Sequence, residues 1–347
     1  MYKSLFRKEF IFYIIVILIG TVFTSSSIAI VEKQNYSLSI YPNGKTFYVG
    51  GSGPDNYTRI QEAIDDATDG DIVFVYTESS PYYENIVIDK SILLIGENPS
   101  DTIIDGNFSD CTIYLNSSDV FIFGFSIKHG NLSGIKIWRS KYCVITNNII
   151  QNNKRYGISL IESCNNSIEV NYIKYNDNGI KLSSKSNFNV FEGNEIKSNN
   201  NGIYLEDSSE NILTANEISN NEYGIKLYSR SRKNLIELNS ISNNSIGIFL
   251  GGTIYPTFAF NILLDGSIHN KITKNNFIEN VQDAYFQNSR RNRWWRNYWN
   301  ESKILPKLIF GELFICRLQG IPPTAIEHHI PWIPRLDLRP ALKPFSI

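Results

Sequence analysis

The part of the sequence that decides the fold is a four-residue phrase that recurs six times. It reads GIKI at 134–137, GISL at 157–160, GIKL at 179–182, GIYL at 202–205, GIKL at 224–227 and GIFL at 247–250. The leading glycines are separated by 23, 22, 23, 22 and 23 residues. A constant period of this length is typical of a solenoid, in which each repeat forms one coil and buries its apolar residues against its neighbours.

The second half of each repeat shows which solenoid this is. It reads NYIKYN at 171–176, NEIKSN at 194–199, NEISNN at 216–221 and NSISNN at 239–244. Isoleucine alternates with polar residues and asparagine punctuates the run, which is a strand-and-turn pattern without a helical period. We therefore predict an all-β fold, a right-handed single-stranded parallel β-helix with coils of 22–23 residues, in preference to a leucine-rich repeat.

The asparagines fall into columns, because residues one period apart lie above one another at about 4.8 Å in stacked strands. One column contains Asn171, Asn194, Asn216, Asn239 and Asn275, and a second contains Asn176, Asn199, Asn221, Asn244 and Asn280. We expect their amides to hydrogen bond from coil to coil, and we expect asparagine to supply the left-handed backbone of the corners. These residues are therefore interpreted as scaffold and not as ligands.

Both ends of the repeat differ from its middle. Residues 57–67 have the apolar spacing of an amphipathic helix, with Thr58 or Asn56 as its N-cap, and this helix would cover the open end of the coils. Proline recurs after residue 305, so we expect an irregular C-terminal tail. The predicted organisation is a signal peptide or uncleaved anchor at 1–29, a linker at 30–44, an N-terminal cap with the first coils at 45–110, repeats at 111–286 with an insertion at 251–269, and a C-terminal cap with an extended tail at 287–347.

The N-terminus has the order of a secretory signal. Lys3, Arg7 and Lys8 precede an apolar run that begins at Phe10, and small residues follow up to Ala29, where cleavage is expected. The same stretch is long enough to be an uncleaved membrane anchor. Glycosylation triplets at Asn56, Asn107, Asn116, Asn131 and Asn243 agree with export to an extracellular, cell-surface or periplasm-like envelope space.

Composition excludes several other classes. The 33 basic and 34 acidic residues give a net charge of −1, which argues against a general nucleic-acid binder. Cys111, Cys143, Cys164 and Cys316 show no zinc-type spacing. Their even number permits disulfides without fixing a pairing, and Cys111 is expected to be a small core residue. The oligomeric state is not fixed by the sequence.

Four segments near the N-terminus resemble a known family. They are TFYVGGSG at 46–53, YTRIQEAID at 57–65, GDIVFVY at 70–76 and YENIVI at 83–88, and RRNRWWRNYW at 290–299 resembles the closing sequence of the same proteins. These are the exported prokaryotic parallel β-helix repeat proteins (PbH1 or CASH domains), which include NosD-type periplasmic copper-binding proteins. The resemblance implies a pectin-lyase-like fold, and that fold hosts lyases, hydrolases, adhesins and accessory proteins alike.

The copper in the family's description has no matching residues here. His129, His269, His328 and His329 are scattered or adjacent, and the initiator is the one methionine. We predict no cofactor; calcium stays open, with no residues to assign to it.

Alternation places the third residue of each phrase, and the residue that follows the phrase, on the outside of the coil. The first outward column contains Lys136, Ser159, Lys181, Tyr204, Lys226 and Phe249, and the second contains Trp138, Ile161, Ser183, Glu206, Tyr228 and Gly251. Aromatic rings can cover sugar faces while lysines meet hydroxyls or uronate carboxylates. The alternative is an ordinary exposed sheet face. The candidate binding residues are Lys136, Trp138, Lys181, Tyr204, Glu206, Lys226 and Tyr228.

Catalytic candidates are few. Glu162 and Asp207 lie two coils apart, at about 10 Å, near the upper end of the separation used by inverting glycosidases. Lys181 or Lys226 could serve as the base of a lyase if burial lowered its pKa.

The sequence therefore favours an exported β-helix that binds a polysaccharide or surface glycan without catalysis. The first alternative is a polysaccharide lyase or glycoside hydrolase. The second is a structural stalk or adhesin that has no site.

Overall fold

The computed structural model describes residues 44–256, 262–300, 307–319, 324–331, 335–337 and 340–346. The expected signal peptide, and the linker up to residue 43, lie outside these residues. Within them the chain forms a parallel β-helix, as predicted, whose coils each pass through three sheets in turn. No helix in this described part is long and apolar enough to cross a bilayer.

The three sheets are named in the order in which each coil visits them. The first sheet contains Thr46–Val49, Ile72–Val75, Leu93–Gly96, Phe121–Phe123, Val144–Thr146, Ser167–Glu169, Val190–Glu192, Ile212–Thr214, Leu235–Glu237, Lys271–Thr273, Arg293–Trp295, Arg335–Asp337 and Lys307–Ile309. The second contains Tyr82–Tyr83, Ile103–Asp105, Ser126–Lys128, Ile149–Gln151, Tyr172–Lys174, Glu195–Lys197, Glu217–Ser219, Ser240–Ser242, Asn276–Ile278 and Tyr298–Trp299. The third contains Ile86–Ile88, Ile113–Leu115, Ser133–Trp138, Tyr156–Ile161, Asn178–Ser183, Asn201–Glu206, Tyr223–Tyr228, Ile246–Leu250, Gln282–Gln287, Gly311–Gln319 and Thr324–Pro331.

The core is a stack of inward-facing aliphatic residues, one set per coil. In the third sheet Ile135, Ile158 and Ile180 pair in register, and each is fully buried. The glycine of each phrase is required by close packing at the entry to this sheet. A Cβ at Gly157 would lie 2.6 Å from the carbonyl oxygen of Gly179 in the next coil, which is too close for any side chain.

Asparagine side chains link successive coils through hydrogen bonds, as expected. Asn194 illustrates the pattern: its Nδ2 donates to the Asn216 Oδ1 of the following coil at 2.9 Å and to the Ile168 carbonyl oxygen of the preceding coil at 2.8 Å. Its Oδ1 accepts from the backbone N and the Nδ2 of Asn171. Each such amide therefore joins three coils.

The structure contains a third asparagine column that the sequence analysis missed. It runs along the corner between the third and first sheets and contains Asn166, Asn189, Asn211, Asn234, Asn270 and Asn292. Its members are 22–23 residues apart in the sequence, except that the insertion separates Asn234 from Asn270 by 36 residues. The column between the first and second sheets also begins earlier and ends later than predicted, at Asn148 and Asn297.

The expectation that these asparagines adopt the left-handed backbone was wrong. In the central coils the left-handed residue is the one that precedes the column asparagine, as at Val170 with φ 51°, Tyr175 with φ 55° and Leu238 with φ 56°. The asparagine itself turns inward, where its amide is buried and fully engaged. The preceding residue forms the corner, and its side chain points outward. Bulky residues adopt this strained conformation because the hydrogen bonds of the adjacent asparagine hold the turn in place.

The N-terminal helix spans Ile60–Asp66 and buries Ile60, Ala63 and Ile64 in the core. Neither Thr58 nor Asn56 caps it; the N-cap position is Arg59, whose side chain makes no capping bond. The Glu84 carboxylate, from the next coil, instead accepts hydrogen bonds from the backbone N–H groups of Ile60 and Gln61 at 2.8 and 3.0 Å. An anionic acceptor at a helix N-terminus is favourable, so the cap comes from a tertiary contact.

The insertion and the tail are both built of strands. Within the insertion, Gly252–Pro256 and Ile262–Gly266 form an antiparallel hairpin. The tail is not irregular where it is described. Gly311–Gln319 adds to the third sheet beside Gln282–Gln287 and pairs with Thr324–Pro331, while Lys307–Ile309 and Arg335–Asp337 extend the first sheet. Pro331 is the last residue of its strand, a position at which proline is tolerated.

Asp337 ends one asparagine column. Its carboxylate accepts hydrogen bonds from the backbone N of Arg296 and from the backbone N and Nδ2 of Asn297, at 2.9–3.1 Å, and from Trp299 Nε1 at 3.2 Å. A carboxylate only accepts, so it suits a position that receives the bonds of the column. The tail thus closes the C-terminal end through a side chain that occupies the next position in the column.

Candidate functional site

The third sheet places the predicted outward residues in a single register. We name as the lysine–aromatic column the residues Tyr114, Lys136, Ser159, Lys181, Tyr204, Lys226, Phe249 and Tyr285, each paired with the next. The sequence analysis identified the six from Lys136 to Phe249. Tyr114 and Tyr285 extend the column by one coil at each end; Tyr114 lies before the first glycine phrase, and Tyr285 lies beyond the insertion.

The lysines of this column lie against the aromatic rings. Lys181 Nζ is 3.2 Å from the centroid of the Tyr204 ring, and Lys226 Nζ is 5.2 Å from the same centroid on its other flank. Lys136 Nζ lies 5.1 Å from the Tyr114 ring. Cations within about 6 Å of a ring centroid are attracted by its negative face. The lysines and rings of the column therefore stabilise one another, and Ser159 is the one member of the column that is neither.

Lys181 is much less accessible than its outward direction suggested. Its side chain is 9% exposed, and its ammonium donates to Glu206 Oε2 at 2.7 Å. Burial lowers the pKa of Lys181, and the hydrogen bond that its ammonium donates to Glu206 opposes that shift. Burial also lowers the pKa of Lys226 and raises that of the Tyr204 hydroxyl. Lys181 thus meets the sequence-based condition for a base, but a substrate atom could reach it only after Glu206 moved.

A second set of aromatic side chains flanks the column. Trp138 stacks on Tyr114 with ring centroids 6.2 Å apart, and the Arg139 guanidinium lies 4.6 Å from the Trp138 ring. Tyr228 pairs in register with Glu206. Trp138 and Tyr228 are half-exposed. The candidate binding residues therefore lie on one sheet face, in two adjacent columns, and their rings are partly accessible to solvent.

The predicted pair of catalytic carboxylates is held by arginines. Glu162 is exposed and accepts a hydrogen bond from Arg139 Nε at 2.9 Å, and Asp207 lies 3.6 Å from Arg230 Nε. Extending the pairing of Ile161 with Ser183 places one coil between the two carboxylates, as expected. Each is therefore a corner residue with a cationic neighbour of its own.

A closer carboxylate pair lies on the first sheet and was missed. Glu169 pairs in register with Glu192, and both are half-buried. Burial and the neighbouring charge of Glu192 raise the pKa of Glu169, while a hydrogen bond donated by the Ser167 hydroxyl opposes that rise. Two glutamates 23 residues apart at the end of strands gave the sequence signal, but it is recognisable only once the register is known.

Histidines and cysteines do not converge on a metal site in the described residues. There His129 Nδ1 contacts the Asp105 carboxylate at 3.0 Å, Cys111 and Cys143 are buried thiols, and Cys164 is a free thiol. Cys111 thus packs in the interior, as predicted. No group of three or more histidine, cysteine, aspartate or glutamate side chains in this part of the chain could hold a metal ion, so these residues do not fit a copper ligand set. The side chains of His328, His329 and Cys316 lie outside the described residues.

Comparison with known proteins supports the fold and supplies a family. An alginate lyase from Paenibacillus sp. str. FPU-7 superimposes with a TM-score of 0.50 at 13% identity, over 73% of this chain and 95% of the lyase. The chain is also 41% identical over 99 residues to a cell surface glycoprotein of Methanothermus fervidus. That match covers 28% of this chain and 16% of the glycoprotein, so the chain spans a small part of that relative. The family model described as periplasmic copper-binding protein (NosD) matches residues 54–184 and 153–315, and the chain therefore belongs to the NosD family.

Proposed function

We propose that this protein is exported and binds polysaccharide through the lysine–aromatic column and its flanking aromatic residues. The observation that carries the proposal is the continuous register from Tyr114 to Tyr285 along one outward face, in which every residue except Ser159 is a lysine or an aromatic residue. Strands stack at about 4.8 Å, so an extended polymer that lay along the helix axis would meet a new side chain at every coil. The periplasmic description of the family and the surface location in the relative's name support export.

The contacts assign different roles to the candidate residues. The Trp138, Tyr204 and Tyr228 rings would pack against the apolar faces of sugars, since they are half-exposed. Lys136 and Lys226 would meet hydroxyls or carboxylates. Lys181 would act through its neighbours, because its ammonium already contacts the Tyr204 ring and Glu206 and holds both in place.

The test is retention on immobilised neutral and acidic polysaccharides, with and without calcium. We expect Trp138→Ala combined with Tyr204→Ala to weaken retention more than tenfold, which corresponds to about 1.4 kcal/mol. The matched control is Tyr142→Ala combined with Phe188→Ala, which removes two aromatic residues that are each 47% exposed at a corner outside the third sheet. Equal retention of both double variants would contradict the proposal, provided that circular dichroism shows both folded.

The same incubations test catalysis. The raised pKa of Glu169 beside Glu192 is the observation that favours a glycoside hydrolase as the second candidate, since a protonated carboxyl is the form that donates to a leaving group. New reducing ends that vanish in Glu169→Gln would support it. Unsaturated products that vanish in Lys181→Ala would instead support a lyase. Retention without either product supports binding alone, and the absence of both leaves a structural stalk or adhesin.

Copper has no part in this proposal, because the described residues offer no ligand set for it.

A further inference from the structure

We propose that the exported protein is N-glycosylated at Asn107, Asn116 and Asn243, and that the other described glycosylation triplets stay unmodified. This inference rests on the export in the proposed function. It arises because the structure separates triplets that the sequence presents as equivalent. An acceptor asparagine must keep its sugar in solvent after folding, so its Nδ2 must be accessible and must not be needed by the fold.

Asn107 lies at the corner that leads from the second to the third sheet. Asn107, Phe108 and Ser109 are all exposed, so the whole triplet faces solvent. Asn107 adopts a left-handed backbone with φ 47°, and its backbone N donates to Asp105 Oδ1. Its side chain makes no hydrogen bond to any residue in the described part of the chain. A sugar on Nδ2 would therefore displace nothing.

Asn243 lies in the same type of corner, toward the C-terminal end. Asn243 and Ser245 are exposed, while Asn244 between them is buried in an asparagine column. The buried Asn244 therefore anchors the triplet, while Asn243 and Ser245 both face solvent. Asn243 has φ 54°, the left-handed conformation of the corner residues whose side chains point outward.

Asn116 follows Leu115, the last residue of its strand in the third sheet, and is exposed. Its backbone N donates to the Ile88 carbonyl oxygen, which fixes the backbone while the side chain points into solvent. Ser118, at the third position, is half-buried, and its Oγ accepts from the Lys141 backbone N at 3.0 Å. Asn116 itself is exposed, so the folded protein leaves room for a sugar on its Nδ2.

The other three described triplets are occupied by the fold. Asn56 Nδ2 donates to the Gly50 carbonyl oxygen at 2.5 Å, and a sugar there would remove that bond. Asn131 is half-buried, and its Oδ1 accepts from Lys154 Nζ. Asn165 is also half-buried, and it lies beside the column residue Asn166, which is fully buried.

The modification is a group transfer from a lipid-linked oligosaccharide phosphate. A bond forms between the asparagine Nδ2 and the anomeric carbon of the first sugar, and the anomeric C–O bond to phosphate breaks. The phosphate leaves with the electron pair of that bond, and the amide loses one proton. The three acceptors lie at the two corners that border the third sheet, in coils before Lys136 and after Lys226. The sugars would therefore flank the proposed binding face and leave its centre uncovered.

The experiment uses the full chain, with its own N-terminal segment, in a host whose export pathway contains an oligosaccharyl transferase. Peptide mass spectrometry of the exported protein should show an oligosaccharide on each of Asn107, Asn116 and Asn243. Asn107→Gln, Asn116→Gln and Asn243→Gln should each remove one, and so should Ser109→Ala and Ser245→Ala, which leave the acceptor asparagine in place. Asn56→Gln and Asn131→Gln are the matched controls and should leave the mass increment unchanged.

The outcomes separate this inference from the proposed function. Exported protein with unmodified Asn107, Asn116 and Asn243, or with sugar on Asn56, Asn131 or Asn165, overturns the inference alone. Protein found only inside the cell overturns the export on which both proposals rest. Glycosylated protein without retention on any polysaccharide supports this inference and contradicts the binding function.

Discussion

Two columns of side chains run along the β-helix and are composed in opposite ways. The asparagine column between the first and second sheets contains the same residue in every coil from Asn148 to Asn297. The lysine–aromatic column, on the outside of the third sheet, changes residue type at almost every coil. Each asparagine donates to the next and accepts from the one before, so only a residue with both capacities continues the chain of bonds. Side chains on the outer face need not both donate and accept hydrogen bonds, so their residue types can vary to suit a ligand.

The largest expected effect on stability comes from interrupting the asparagine column. Asn194→Leu would remove the acceptor of the buried Asn171 backbone N–H, together with the hydrogen bonds to the Asn171 Nδ2, the Ile168 carbonyl oxygen and the Asn216 Oδ1. An unsatisfied buried group costs about 1–3 kcal/mol and each further lost hydrogen bond about 0.5–1.5 kcal/mol, so we expect a loss of about 3–5 kcal/mol in the free energy of unfolding, measured by urea denaturation.

The control for this comparison is Asn200→Leu. Asn200 follows the column residue Asn199 directly, but it is exposed and its side chain donates only to Asp177. Surface substitutions of this kind usually change stability by less than about 0.5 kcal/mol. Similar losses for Asn194→Leu and Asn200→Leu would show that the column is not a main source of stability.

The end of the same column gives a smaller effect. Asp337→Asn keeps the size of the side chain but places an amide N–H toward donors that now point at a carboxylate. We expect destabilisation of about 1–3 kcal/mol, as for a buried hydrogen bond lost to a charged acceptor, and a lower melting temperature. If Asp337→Asn melted like the wild-type protein, the tail would not close the column as described.

The contrast between the columns also explains what the sequence could predict. The period of the glycine phrases and of Asn171, Asn194 and Asn216 is a local repeat, so the coils and two of the three asparagine columns followed from spacing alone. The third column has the same spacing and was recoverable. The role of Asp337 was not, because it contacts Asn297 across 40 residues that include the end of the repeat.

The site was less predictable than the fold for a physical reason. Alternation correctly placed Lys181 on the outer face, but its burial depends on Tyr204 in the next coil and on Glu206 beside that ring. Left-handed corners at Val170 and Leu238 gave no signal, since such residues avoid that conformation unless the surroundings impose it. Contacts between coils therefore decide which outward residue is accessible, and these require the register.

Lys181→Met tests how far the contacts within the lysine–aromatic column stabilise the fold. Burial lowers the pKa of Lys181 below its ordinary value of 10.5, so between the folded-state pKa and 10.5 the unfolded chain binds more protons than the folded one. The stability of the wild-type protein relative to Lys181→Met should therefore increase as pH rises from 7 toward 10.5. At pH 7 we expect the two to differ by about 1 kcal/mol or less, because replacement of a buried ion by an apolar residue is often near neutral.

A flat difference across that range would contradict the lowered pKa. Parallel melts of Lys136→Met, in the same column, control for the loss of a lysine from this face.

The smallest effect is expected at the corner carboxylate that first drew attention as a catalyst. Glu162→Gln breaks an ion pair with Arg139 in which the two side chains are 45% and 59% exposed, and exposed pairs contribute about 0–1 kcal/mol. We expect a stability change below about 0.5 kcal/mol and unchanged retention on polysaccharide, because the Arg139 guanidinium still lies on the Trp138 ring. Arg139→Gln, which removes both contacts, should weaken retention where Glu162→Gln does not. If Glu162→Gln instead abolished release of a sugar product, the corner would be part of an active site, and the varied column would be its substrate-positioning surface.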